Sequence, residues 1–147
     1  MNSSFSSIRW LRILGGALAV IAISFLILMV LIAVYAFVLA LQARGAPDQA
    51  AINHFAARVG PRLIPWLEML LTLIVALSVA ETVEKACVIH GLFIGILAGL
   101  LSCAVTLTCG GQLCLHKFIF FIITVGMGLL GGFVGREKGQ SERQVSV

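Results

Sequence analysis

Charge is what this chain has least of. Six acidic and ten basic residues make up 11% of its 147 positions, against roughly 25% in soluble domains. So few charges cannot furnish a water-facing surface, and 61% hydrophobic residues leave more apolar area than a chain of this length can hide from water. Groups that carry chemistry are equally sparse. There is no Ser, His and Asp combination, no P-loop and no dinucleotide fingerprint, so the chain reads as non-enzymatic, with no cofactor. A net charge of +4 would suit nucleic acid if it formed one basic face. The basic residues instead sit singly near the ends of apolar runs, which is the pattern of membrane topology and headgroup contact. Nucleic acid is therefore not an expected partner; the lipid bilayer is.

What is present is a series of long uncharged runs, over 13–43, 69–80, 86–115 and 118–135. A helix rises about 1.5 Å per residue and crosses roughly 30 Å of hydrocarbon, so about 20 apolar residues make one span. The expected fold is all-α, an integral membrane bundle of four transmembrane helices with spans near 13–40, 63–83, 86–108 and 118–135. Together they form one domain over 13–135, flanked by a polar and basic segment over 1–12 and a charged tail over 136–147. The first run is far longer than the roughly 7 to 15 apolar residues of a secretory signal, so it reads as an uncleaved anchor. The second run is too short to cross alone. Its helix must begin near Leu63 and carry Glu68 into the membrane.

With four spans, Arg9, Arg12, Lys85, Arg136, Lys138 and Arg143 fall on one side, and Arg44, Arg58, Arg62 and Lys117 on the other. That asymmetry favours both termini on the cytoplasmic side. The first connection carries helix punctuation at both ends, Pro47–Asp48 and Gly60–Pro61. Between them Ile52, Phe55, Ala56 and Val59 recur at i, i+3, i+4 and i+7, which fits a short interfacial helix over 48–59.

Glycine supplies the most regular pattern. Gly91, Gly95 and Gly99 recur every four residues in the third span, and Gly128, Gly131, Gly132 and Gly135 hold two GxxxG pairs in the fourth. Bare backbone along a stripe lets a neighbouring helix approach closely, and in lipid such packing replaces the hydrophobic drive between helices. The two stripes are expected to face each other; a homo-oligomeric interface or a pore lining is the rival reading.

Glu68 is the candidate functional residue, because an intramembrane carboxylate is costly and faces a partner, a cavity or a proton path. In an antiparallel hairpin it comes level with Ser102, Cys103 and Thr106. Placement at the interface beside Arg62 is the alternative. At the other end of that hairpin Glu81 and Lys85 stand at the spacing of an ion pair. Cys109, Cys114 and His116 lie near one another, but zinc pairs are closer and come with a second pair, so no metal is expected. A disulfide between Cys109 and Cys114 is the expectation, since that loop falls on the oxidising side. Cys87 and Cys103 read as small packing residues.

His90, Gly91, Leu92, Gly95, Ile96, Leu97, Leu101 and Ser102, followed by Leu129, Leu130, Gly131, Gly132, Gly135 and Arg136, resemble a class of small four-pass bacterial membrane proteins. In these the third span opens HGLxxGLL, and the last ends in a glycine-rich stretch before a basic residue. The match covers about a fifth of the chain. The second span departs from the pattern, ending in LSVAETVEK, and the 44–64 loop is long. The resemblance implies four spans in a bacterial plasma membrane and brings no activity with it. Two functional expectations stand: an accessory or interaction subunit for a membrane-protein partner, or a small oligomeric transporter or channel with Glu68 in its pathway.

Overall fold

The computed structural model describes residues 10–43, 45–82, 87–108 and 115–145. They form four helices, α1 (Trp10–Ala43), α2 (Gln49–Thr82), α3 (Cys87–Thr108) and α4 (Leu115–Val145). Each is long and apolar enough to cross a membrane, as the uncharged runs predict, and the protein is an all-α bundle of four candidate spans. Short connections force sequential helices to run antiparallel. The α1–α2 and α3–α4 connections therefore share one end of the bundle, and the start of α1, the end of α4 and the α2–α3 connection lie at the other.

The helix ends follow from local chemistry. Asp48 caps α2: its side chain accepts the Ala50 amide at 2.8 Å, covering a donor that has no helical partner, and its carbonyl accepts the Ile52 amide at 3.2 Å as the first bond of the helix. At the end of α1, the Gly45 amide donates to the Ala40 carbonyl at 3.4 Å, a bond that occupies an orphan carbonyl.

The segment 48–59 is helical but not separate. α2 runs without interruption from Gln49 through Pro61 and Pro65 to Thr82. Each proline withdraws a donor and so frees the carbonyl four residues earlier, at Ala57 and Pro61. Helices in membranes tolerate this where neighbours or a wet cavity cover the freed groups; here Gly60, Pro61 and Pro65 line a cavity.

Helices α2, α3 and α4 all pack on one another, whereas α1 packs on α2 and α3 only. The buried residues of α1 are Ile13, Gly16, Ala17, Val20, Ser24 and Leu28, one stripe at helical spacing. Ile13 meets Ile94, and Ala17 with Val20 meets Ala98. The remainder of α1 exposes large apolar side chains such as Leu26, Met29 and Phe37. In a bilayer that exposure is contact with lipid.

The α4 glycines divide between two neighbours. A methyl group on Gly95 would lie 3.0 Å from the Thr124 carbonyl oxygen, and one on Gly132 would lie 2.8 Å from the Cys87 carbonyl oxygen. Gly91 and Gly128 press on each other's backbone. Gly131 faces α2 instead, where a methyl would sit 2.7 Å from Ala76 Cβ, and Gly135 faces Ala80. Gly128 and Gly132 thus admit α3, while Gly131 and Gly135 admit α2. Residues three and four apart lie on adjoining faces of one helix, so interleaved GxxxG pairs address two partners, not the single facing stripe that the sequence predicts.

α1 and α2 are each 34 residues long and α3 only 22, a difference of about 18 Å along the axis. Leu28 reaches Gly60, and past that level α1 and α2 continue as a pair, with Tyr35 stacked on Phe55 at 4.0 Å between ring centroids.

Candidate functional site

At the end of the bundle that carries the α1–α2 and α3–α4 connections, α2, α3 and α4 enclose a cavity of about 340 Å³. The prolines of α2 open it on one side. On the opposite wall Gly99 and Phe121 touch: a methyl on Gly99 would come 2.6 Å from the Phe121 ring, so the missing side chain makes room for the aromatic face. Phe25 from α1 also reaches the cavity, and Trp66 meets Phe120 edge to face at 5.7 Å. The walls are thus mostly apolar and aromatic.

Set into them is a small polar group. Glu68 lines the cavity with only 6% of its surface exposed. The Ser102 hydroxyl donates to its carboxylate, and Lys117 is the nearby cation. Lys117 Nζ itself donates to Thr106 Oγ1 at 3.0 Å. Thr124, also on the wall, donates to the Phe120 carbonyl at 2.9 Å. A buried carboxylate is costly unless hydrogen-bonded and balanced by opposite charge, and these two neighbours provide both.

Of the two placements that the sequence leaves open for Glu68, the carboxylate takes the one facing the bundle. Arg62 is exposed, and six residues along a helix set the two side chains about 120° apart. One turn deeper, Thr72 is fully buried, and its hydroxyl has no hydrogen-bond partner among the described residues. The polar face of α2 therefore continues below the carboxylate.

Lys117 is the member that sequence reasoning misses. A lysine near a helix start reads as a topology charge, and nothing in its neighbours' spacing signals an inward turn. His116, Phe120 and Phe121 are missed too, although their i, i+4, i+5 spacing places them on one face of α4 and supplies a usable signal.

Gly91, Gly95, Gly99, Gly128, Gly131, Gly132 and Gly135 lie at helix contacts, and of these only Gly99 borders the cavity. Cys103 lines the cavity and is half-buried; Cys87 is buried at the far end of α3, with its Sγ 3.5 Å from the Ala80 carbonyl. Cys109 and Cys114, expected to form a disulfide, lie outside the described residues, as does Lys85, the expected partner of Glu81. Among the described residues no three His, Cys, Asp or Glu side chains are grouped as a metal would need.

Chemically, the arrangement offers one carboxylate acceptor, one ammonium donor and several hydroxyls around an apolar hollow. That is the form of a recognition site for a small molecule. No protein-family model, curated protein or solved structure matches the chain.

Proposed function

We propose that the protein is a non-enzymatic multi-pass membrane protein that binds, and passes across the bilayer, a small polar solute held at Glu68. The observation that carries this reading is the burial of Glu68 on the wall of a 340 Å³ cavity. A carboxylate used only for anchoring would be placed at the headgroups, where its hydration is kept. Both termini lie in the cytoplasm on this reading, so the cavity opens toward the opposite side. The small size of the bundle is consistent with work as an oligomer.

The second reading is an accessory subunit docked on another membrane protein. It is favoured by α1, none of whose residues past Leu28 is fully buried and which exposes Val30, Val34, Phe37 and Leu41 past the level where α3 ends. Reconstitution into liposomes, with uptake of labelled small amines, carboxylates and amino acids followed in turn, separates the two readings. Carrier or channel activity predicts uptake of at least one of them faster than in protein-free liposomes, falling to background in Glu68→Gln. Equal rates for wild type and Glu68→Gln, together with a membrane protein that co-purifies in stable ratio, would favour the accessory reading.

A further inference from the structure

The binding reading leaves open which kind of solute fits, and the charge layout of the cavity answers this. Resting on that reading, we infer that the cavity takes a small zwitterion: one amine and one anionic group on an apolar body of roughly amino-acid size.

Two opposite charges stay apart on the cavity wall. Glu68 stands on α2 and Lys117 on α4, both on the cavity wall. Each feels the other through space, yet no ion pair joins them among the described residues, and each is held by a hydroxyl of α3 instead. Ser102 donates to Glu68, and Thr106 accepts from Lys117 at 3.0 Å. Ser102 and Thr106 are four residues apart, so they stand on one face of α3 a single turn from each other. α3 therefore holds the two charges at neighbouring levels with the cavity beside them.

Neither charge is saturated by these bonds. An ionised carboxylate offers about four lone-pair sites and an ammonium three donors, and each is left with capacity directed at the hollow. A molecule bearing only a cation would satisfy Glu68 but be repelled by Lys117, and one bearing only an anion would meet the reverse. A molecule bearing both completes two charge-assisted pairs at once. The amine also gains from the aromatic rings of Phe25 and Phe121, which line the cavity and attract cations.

Size and lining fix the rest of the molecule. A hollow of 340 Å³ sits at the low end of the about 300–1,000 Å³ typical of small-molecule pockets. It suits an amino acid or a compound of similar bulk better than a whole lipid. Ile64, Val105 and the two phenylalanines, which line the same hollow, call for an apolar or aromatic body.

Three probes with one shared body test this: L-phenylalanine, phenethylamine, which keeps only the amine, and 3-phenylpropionate, which keeps only the anion. Equilibrium binding to the full-length protein in lipid nanodiscs should show phenylalanine binding at least tenfold more tightly than either single-charge analogue. Glu68→Gln should weaken phenylalanine and phenethylamine tenfold or more while sparing 3-phenylpropionate, and Lys117→Met should do the converse. Where a variant fails to give the wild-type size-exclusion profile, the order of the three probes on the wild type decides alone. Phenethylamine binding as tightly as phenylalanine makes this a cation site and overturns the zwitterion while leaving the binding reading in place. Failure of all three probes alongside an intact Glu68-dependent flux also overturns the zwitterion alone. Failure of both removes the site itself.

Discussion

Single residues decide how closely these helices approach. Gly95 admits the backbone of α4, where an added methyl would meet the Thr124 carbonyl oxygen and Val125 Cα at 3.0 Å each. Backbone cannot move aside as a flexible side chain can, so a larger residue must push the helices apart. Gly126, on the same α4, has nothing within 4 Å of an added methyl. Gly95→Leu should therefore cost about 1–3 kcal/mol, the usual penalty of overpacking, whereas Gly126→Leu should be nearly neutral. Thermal unfolding in detergent, followed by size-exclusion, measures both; equal midpoints for the two variants would contradict the close approach of α3 and α4. At this scale the sequence is informative where a residue type is out of place in lipid. Glu68 can be picked out because no carboxylate sits in a span without cause. Lys117 cannot, because a cation near a helix end has an ordinary reason to be there, and its turn toward Thr106 depends on where α3 lies.

The helices themselves were legible in the gaps between charges. All four spans could be located because lipid requires roughly 20 apolar residues in a row, a demand that few other structures make. Two features were not legible. Gly60 and Pro61 signal a helix end in water, and α2 passes through both; the outcome depends on whether the freed carbonyls find cover, which is a tertiary matter. The division of the α4 glycines between α2 and α3 was hidden as well. Interleaved GxxxG pairs show that two faces are bare without saying whether one neighbour or two will fill them. The split also bears on the cavity. Contacts through glycine hold α4 close to both α2 and α3 along its middle and far half, and it is at the near end, where Gly99 meets the Phe121 ring rather than backbone, that the three helices enclose open space.

For the whole molecule, charge makes a prediction about orientation. Six basic residues on the side of the termini against four on the other predict that both ends are cytoplasmic. Reporter fusions after residues 45, 84, 113 and 147 should then read outside, inside, outside and inside; a tail read outside would overturn the orientation and with it the side from which the cavity is reached. The overhang of α1 and α2 past α3 lies at the end that carries the α1–α2 connection. In a bilayer its apolar residues face lipid or a partner, and Arg58, exposed on α2, is expected to reach headgroup phosphate.

On the proposed function, a hollow bounded by Glu68 is open to water from the end that carries the α1–α2 and α3–α4 connections, the outer end when both termini are cytoplasmic. Cys103 reports on it directly, being half-buried on the cavity wall, and Cys87, only 7% exposed at the other end of α3, is the internal comparison. Two variants are needed in sealed membrane vesicles: one carrying Cys87→Ala, Cys109→Ala and Cys114→Ala, which leaves Cys103 alone, and one carrying Cys103→Ala, Cys109→Ala and Cys114→Ala, which leaves Cys87 alone. A charged, membrane-impermeant methanethiosulfonate reagent is applied from each side in turn. The account predicts that Cys103 is modified from the outer side at a rate at least tenfold above that of Cys87 and is spared from the inner side. Cys103 as unreactive as Cys87, or modified only from the side of the termini, would contradict it.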